Sequence, residues 1–311
     1  MEVVTLKTNT KIVASEFTYF ECHSLSEILD LLNKHKENAR ILAGGTDLLV
    51  QMKLGSMQID SLIFIKKVKT LNYIETNGNC LKIGSVTGLR EIEKSEQVKL
   101  YYSALYEAVR SMSATSVKNM ATIGGNLCNA SPAADTAPPL LVYNASLKLV
   151  SKRGERVIPI EDFFLGPGKT VLASDELLAE ILIPKLGDYA GSSFLKLGRV
   201  SADIAKISVA VFLERAGQTC SNCRIAFGSV APTPIRVLQA ENVLVGQKMT
   251  ADLITQAAKT AADLIKPITD IRSTSGYRQQ VSKIILEEVI RAAWKRTGGE
   301  ENGEEINQAD R

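Results

Sequence analysis

Histidine is nearly absent from this 311-residue chain, occurring only as His23 and His35. That scarcity leaves little with which to build a histidine-based metal site or catalytic triad. Cysteine is sparse as well. The five thiols, Cys22, Cys80, Cys128, Cys220 and Cys223, are scattered and odd in number, in a protein large enough to bury a core without disulfide staples. Such usage fits a cytoplasmic protein. The Cys220-x-x-Cys223 pair lacks a second pair or a nearby histidine to complete four ligands, so it reads as structural. No apolar run approaches the roughly 20 residues that a bilayer-spanning helix needs. The N-terminal MEVVTLKTNTK shows no apolar core followed by a small-residue cleavage site, so neither membrane insertion nor export is expected.

Two nucleotide motifs are missing too. No GxGxxG occurs, which removes direct support for a Rossmann nucleotide site. Gly168-Lys169-Thr170 ends like a phosphate loop, but Phe163 stands where that motif requires its first glycine. The net charge of +3 divides into −4 over the tail from Gly298 to Arg311 and +7 over the remainder. That excess is too weak and dispersed for nucleic acid, which calls for a concentrated basic stripe with interleaved aromatics. The tail itself, 298–311, reads as solvated and disordered. There is no internal repeat and no low-complexity tract.

The length allows two domains. Near the start, Ser24 and Glu27 have capping-box spacing ahead of Ile28, Leu31 and Leu32, predicting a helix to about Glu37. RILAGG, TDLLVQMKLG and SLIFIKK then read as strand, helix and strand around a glycine loop. Asn77-Gly78 predicts a hairpin, Leu105, Ala108, Val109 and Met112 share one helical face, and SLKLVSKRGERVIPI predicts a second hairpin at Gly154. LLAEILIP is a strand ended by Pro184, and Lys185 to Ala190 is a linker. Beyond it lie the strands ISVAVFLE and CRIAFGSV, then amphipathic helices, with Ile284, Ile285, Val289, Ile290 and Trp294 assigned to one core-facing stripe.

The most informative stretches are ILAGGTDLLV (41–50) and ATIGGNLCNASPAAD (121–135). Glycine tolerates positive φ and lets a ligand approach the main chain, so Gly44-Gly45 and Gly124-Gly125 can each present successive N–H groups as an anion nest. Hydrogen-bonding side chains follow each pair: Thr46 and Asp47 after the first, Asn126, Asn129 and Ser131 after the second. Two facing nests would suit a pyrophosphate. Taken singly, a Gly-Gly pair is also an ordinary tight turn.

As a set, RILAGGTDLLVQMKLG, VKNMATIGGNLCNASPAADTAPPLL, EDFFLGPGKT and RIAFGSVAPTPIR closely resemble the FAD-binding (medium) subunit of bacterial molybdenum hydroxylases, the xanthine dehydrogenase family. The likeness runs in order from the first strand to about Lys295. It implies an α+β chain: a two-subdomain FAD-binding fold of the vanillyl-alcohol oxidase (PCMH) type over 1–185, then a smaller α+β C-terminal domain over 186–297. It further implies that Ile41, Leu42, Ala43, Gly44, Gly45, Thr46 and Asp47, with Thr122, Ile123, Gly124, Gly125 and Asn126, are the two pyrophosphate loops. Asp135 would bond the adenosine end, Met112 and Leu178 would pack at the cofactor, and Lys196 would contact the flavin ring. Ala202-Asp203-Ile204 would shield the flavin. Other readings of these side chains exist: Met112 and Leu178 also suit a core, Asp135 suits a cap for the helix that follows, and Lys196 suits a solvated strand position.

The implied activity is electron transfer from partner iron–sulfur clusters through noncovalent FAD to NAD+, with no catalytic residue and no metal ligand assigned to this chain. The cysteine sets for 2Fe-2S clusters and a molybdopterin pocket are lacking, so those cofactors are expected on an iron–sulfur subunit and a molybdopterin-binding subunit, in a dimer of heterotrimers. The flavin does the redox chemistry while the protein orients and tunes it. Xanthine is favoured as the substrate oxidised elsewhere in the complex. No cysteine-rich insertion of the kind found in relatives that reduce aromatic acyl-CoA thioesters occurs. The rivals are a stand-alone flavin oxidase, disfavoured because both histidines fall outside the glycine loops, and a cofactor-free scaffold, disfavoured by the intact Gly-Gly pairs. Gly45→Val or Gly124→Val is expected to leave a folded chain without FAD.

Overall fold

The computed structural model describes residues 16–57, 59–112, 114–200 and 203–299. Ala202 and the tail from 300 onward, on which two of the sequence readings fall, lie outside the described residues. Strand β1 (Thr18–Glu21) leads into helix α1 (Leu25–His35). The Ser24 hydroxyl accepts the Glu27 N–H at 3.3 Å, satisfying an amide that has no partner within the helix. Glu27 reaches back to the N–H of His23 at 2.8 Å, one residue earlier than in the ideal capping box. Ile28 and Leu32, four residues apart on one face, are buried with Cys22, Ala39 and Ile63.

The expected strand, helix and strand follow as β2 (Ala39–Leu42), α2 (Leu48–Lys53) and β3 (Ser61–Phe64). β1 and β2 both pair with β3 in parallel, in the order β1-β3-β2. A parallel pair needs a crossover, and α2 with its flanking loops supplies it between β2 and β3. The Gly44-Gly45 loop therefore lies at the carboxyl end of β2.

A second layer begins with the hairpin of β4 (Ile74–Thr76) and β5 (Cys80–Gly84), where Gly78 takes φ +88°. Short helices come next: α3 (Leu89–Lys94), α4 (Glu96–Tyr101), α5 (Ser103–Ser111), α6 (Thr115–Met120), α7 (Ile123–Cys128) and α8 (Ala137–Val142). The second predicted hairpin is β6 (Ser146–Ser151) with β7 (Gly154–Pro159). Gly168-Lys169-Thr170 makes no phosphate loop; it turns the small hairpin of β8 (Phe164–Gly166) and β9 (Lys169–Thr170), with Gly168 at φ +69°. β10 (Leu177–Pro184) lies in the middle of the antiparallel sheet β4-β5-β10-β6-β7. A register shift between Leu178 and Glu180 inserts one residue. Leu178 consequently shares the helix-facing core with Ile181 and Ile183, while Leu177 and Ala179 close over the α1 side.

The C-terminal sheet joins β11 (Ala190–Leu197), β12 (Ile207–Ala216), β13 (Thr219–Gly228) and β14 (Ile235–Arg236) in sequence order, all antiparallel. It is followed by α9 (Leu238–Leu244), α10 (Ala251–Leu264) and α11 (Ser275–Arg296). Within β12 the stretch from Val209 to Leu213 is an unbroken apolar run, and both of its faces are covered. Ala210 and Phe212 join the core that holds α5 and α8, whereas Ile207, Val209, Val211 and Leu213 lie in the core of α10 and α11. Full burial stabilises by about 1.5–3 kcal/mol for each such Val, Ile, Leu or Phe, so the strand welds the C-terminal domain to the preceding layer. One expectation about α11 fails: Ile284 is 65% exposed while Ile285, Val289, Ile290 and Trp294 are buried. Successive residues are turned by about 100° on a helix, which carries Ile284 off the buried arc. Among the described residues no helix is long and apolar enough to cross a membrane.

Candidate cofactor cleft between two glycine loops

The first loop leaves β2 at Leu42, whose carbonyl is tied to the Ile65 N–H at 3.0 Å. Ile41 and Ala43 are partly buried on the α1 core, and Leu42 is buried with Met52, Ile59 and Leu62. Gly45 takes φ +70°, a conformation strained for any residue with a Cβ. Gly44 is required by contact instead: a Cβ there would stand 2.2 Å from the Met120 carbonyl oxygen and 2.8 Å from Ala121 Cα. The N–H groups of Gly44, Gly45, Thr46 and Asp47 take no protein acceptor among the described residues. They remain free for an anionic ligand, as a nest requires. Desolvation pushes the Asp47 carboxyl pKa up, against a hydrogen bond from Thr46.

The second loop has a different construction. Thr122 caps α7, its hydroxyl accepting the Gly125 N–H at 3.1 Å. Ile123 donates to the Thr87 carbonyl at 3.1 Å, Gly124 to that of Ser85 at 2.9 Å, and Asn126 to that of Thr122 at 3.0 Å. The amides from Ile123 to Asn126 are thus occupied, and the expectation of a second open nest at Gly124-Gly125 is corrected. Gly124 is needed for packing, since a Cβ would lie 2.6 Å from the Ser85 oxygen. Gly125 is exposed and presents the bare surface. Asn126 Oδ1 accepts from the Thr136 hydroxyl at 2.6 Å, which fixes its carboxamide beside that surface. Gly44 touches Met120 and Ala121 immediately before Thr122, so the two loops, about 80 residues apart in sequence, meet directly.

The remaining predicted residues gather nearby. Asp135 Oδ2 accepts from Lys196 Nζ at 2.7 Å, with both side chains buried, to 7% and 6% exposure. Lys196 is therefore no solvated strand residue. Asp135 does not cap α8 either; Thr136 holds that position, with no side-chain bond to the helix amides. The second carboxylate oxygen, Oδ1, is buried and lacks a protein partner. Desolvation raises the pKa of this carboxyl, with the Lys196 ammonium opposing the shift. The pair brings Asp135 and Lys196 together, next to Thr136 and hence beside the Asn126 end of the second loop.

Beside the pair lies a cavity of about 420 Å³ lined by Ser111, Lys196, Gly198, Arg199 and Val200. Met112 follows the lining Ser111 and is partly buried against the main core. Leu178 is fully packed within that core; its neighbour Ala179 accepts the Ser85 N–H at 3.0 Å, which places it one step behind the Gly124 contact. Of the expected shielding segment, Asp203 pairs with Arg199 at 2.7 Å and Ile204 is exposed. The Arg199 guanidinium holds the Asp203 carboxyl down at about 2. Sequence reasoning missed Ser85, Thr87, Ser111 and Arg199. The run GSVTG (84–88) is glycine-rich and polar enough to have drawn attention to the first two. Cys220 and Cys223 are buried in the C-terminal core, and among the described residues no group of three His, Cys, Asp or Glu is placed to hold a metal ion.

Residues 15–186 match the FAD-binding domain in molybdopterin dehydrogenase, and residues 192–293 match the C-terminal domain of CO dehydrogenase flavoprotein. The chain is 34% identical to the glyceraldehyde dehydrogenase medium chain of Sulfolobus acidocaldarius, over 87% of this chain and 95% of that protein. It is 30% identical to the xanthine dehydrogenase FAD-binding subunit of Escherichia coli O157:H7, over 91% and 99%. Among solved structures, a carbon monoxide dehydrogenase from Hydrogenophaga pseudoflava matches with a TM-score of 0.88 at 32% identity, covering 90% of this chain and 98% of the matched one. The fold is thus the FAD-binding domain of the molybdopterin dehydrogenase type followed by its C-terminal domain, and the chain belongs to the FAD-binding medium subunits of the molybdenum hydroxylase family.

Proposed function

We propose that this subunit binds FAD noncovalently between its two glycine loops and carries electrons from iron–sulfur clusters on one partner subunit to NAD+. Xanthine is the favoured substrate, oxidised at a molybdopterin-binding partner subunit; relatives named for carbon monoxide and glyceraldehyde show that neighbouring members act on other molecules. The assembly would be a cytoplasmic dimer of heterotrimers. Residues 1–185 would form the FAD-binding domain and 186–297 the C-terminal domain.

The observation that carries the reading is the contact of Gly44 with Met120 and Ala121. It sets the free amides of Gly44, Gly45, Thr46 and Asp47 beside the surface of Thr122, Ile123, Gly124, Gly125 and Asn126. The cleft fits the dinucleotide in two further respects: the exposed Gly125 keeps main chain uncovered, and the buried Asp135 Oδ1 still lacks a donor. FAD, when bound, accepts electrons singly and releases them as a hydride. The chain's own part is binding and orientation. Main-chain amides of the first loop hold the diphosphate, and the second loop bounds it with Gly125 and the Asn126 carboxamide. Lys196 keeps a positive charge at the cavity, held in place by Asp135, with Met112 and Leu178 as the apolar backing.

An absorbance spectrum of the purified chain before and after acid precipitation tests the proposal. Flavin released into the supernatant is the expected result. Flavin retained in the pellet would indicate covalent attachment, and a colourless chain unable to take up added FAD would remove the reading.

A further inference from the structure

The Met120 carbonyl is held from two sides. Gly44 abuts it from the first loop, and Lys66, two residues beyond β3, donates from Nζ to it at 2.7 Å and to the Asn119 carbonyl at 2.9 Å. The last carbonyls of a helix have no intrahelical donor, and a lysine at that end satisfies them. The contact spans more than 50 residues of sequence and joins the β1-β3-β2 layer to the helices of the second layer.

On that second side the partner is firmly fixed. Lys118 of α6, itself buried, pairs with Glu93 of α3 at 2.9 Å, and Glu93 also holds Arg90 at 2.7 Å. Beyond Met120 the chain is laced to the segment 85–89: Leu89 donates to the Ala121 carbonyl at 3.0 Å, Ile123 to that of Thr87, and Gly124 to that of Ser85. The second loop therefore moves with the second layer. Lys66 grips it at the residue that Gly44 touches.

We propose that Lys66 is a positioning residue for the dinucleotide: by clasping the Asn119 and Met120 carbonyls it sets the gap between the free amides of Gly44 to Asp47 and the loop from Thr122 to Asn126. This rests on the FAD reading above. Lys66 need not touch the cofactor; two of the three donors on its ammonium are already committed to the carbonyls.

The test uses the full chain stripped of flavin, titrated with FAD and separately with riboflavin, which lacks the diphosphate. Lys66→Met keeps the stem and removes the donors, and its Kd for FAD is expected to rise about tenfold, the scale of misplaced charge-assisted bonds. Its Kd for riboflavin should stay within about twofold, because the altered gap concerns only the diphosphate. Lys66→Arg retains a cationic donor and should return FAD binding to within about threefold of wild type. If Lys66→Met does not fold, Lys66→Leu, equally without a donor, serves in the same comparison. Unchanged FAD affinity, an equal loss for FAD and riboflavin, or equal weakening by arginine and methionine would each overturn the proposal. A wild-type chain that binds no FAD would defeat the underlying reading first, before any variant is compared.

Discussion

Replacing Lys196 by methionine removes one member of a buried pair while keeping the reach of the side chain. Asp135 would be left as a buried carboxylate with neither oxygen partnered, since Oδ1 already lacks a donor and Oδ2 relies on Lys196. Breaking such a pair costs about 3–5 kcal/mol. The cost depends on pH, and its sign follows from the wild-type shift. Burial raises the carboxyl pKa and the ammonium opposes that rise. A carboxyl whose folded pKa exceeds its unfolded value binds a proton more readily in the folded state, so stability falls as pH rises from the unfolded pKa through the folded one. Removing the ammonium pushes the folded pKa higher and extends this window upward. In urea unfolding of the flavin-free chain, Lys196→Met should therefore lie closer to wild type as the pH falls, because protonation removes the uncompensated charge on Asp135. It should lose about 3–5 kcal/mol at about pH 8. Adding Asp135→Asn should restore most of the loss, because neither charge then remains. A loss under about 1 kcal/mol at about pH 8, or a loss independent of pH and unrelieved by Asp135→Asn, would refute the reasoning.

Other perturbations probe the loops. Gly44→Ala places a Cβ 2.2 Å from a main-chain oxygen that cannot step aside; a cost of about 1–3 kcal/mol and reduced flavin absorbance per chain are expected. Gly124→Val, whose Cβ would meet Ser85 main chain at 2.6 Å, should lower the thermal midpoint as well as the flavin content, contrary to the simple expectation of a folded, flavin-free chain. Gly125→Val meets only Thr122 Oγ1, at 2.9 Å, so it should disturb no more than the α7 cap, fold with a midpoint lowered about as much as that of Thr122→Ala, and fail to retain FAD on gel filtration. Thr122→Ala removes the α7 cap at a cost of about 1 kcal/mol, visible as a lower midpoint in the flavin-free chain.

Local signals carried much of the fold. Ser24, Asn77-Gly78 and Gly154 each dictate a backbone event within a few residues, and each appears where expected. The strand-like run ISVAVFLE appears as β12, although its burial on both faces depends on partners that no local pattern shows. The glycine pairs were conspicuous, yet their difference was not. Whether an amide is free depends on what lies opposite it, and the carbonyls of Ser85 and Thr87 come from a segment over 30 residues away. A cap was the alternative reading of Asp135, because its sequence neighbours, Thr136, Ala137 and Pro138, open a helix; its actual partner lies 61 residues on, in β11. For Lys196 a solvated position stood as the alternative to a flavin contact, because lysine is usually exposed. Ile284 was misassigned by grouping adjacent apolar residues rather than stepping about 100° along the helix. The second nest and Ile284 were misread, and the two alternatives for Asp135 and Lys196 fell, where a tertiary partner or the helix angle outweighed the local pattern.

The central claim is that the two loops together grip the diphosphate of FAD. Phosphorus-31 NMR of FAD on the full chain tests it most directly. Both diphosphate resonances should move from their free-FAD positions and broaden, and in Gly44→Ala they should return toward the free values. Resonances unmoved on binding, with the flavin bound all the same, would contradict the account.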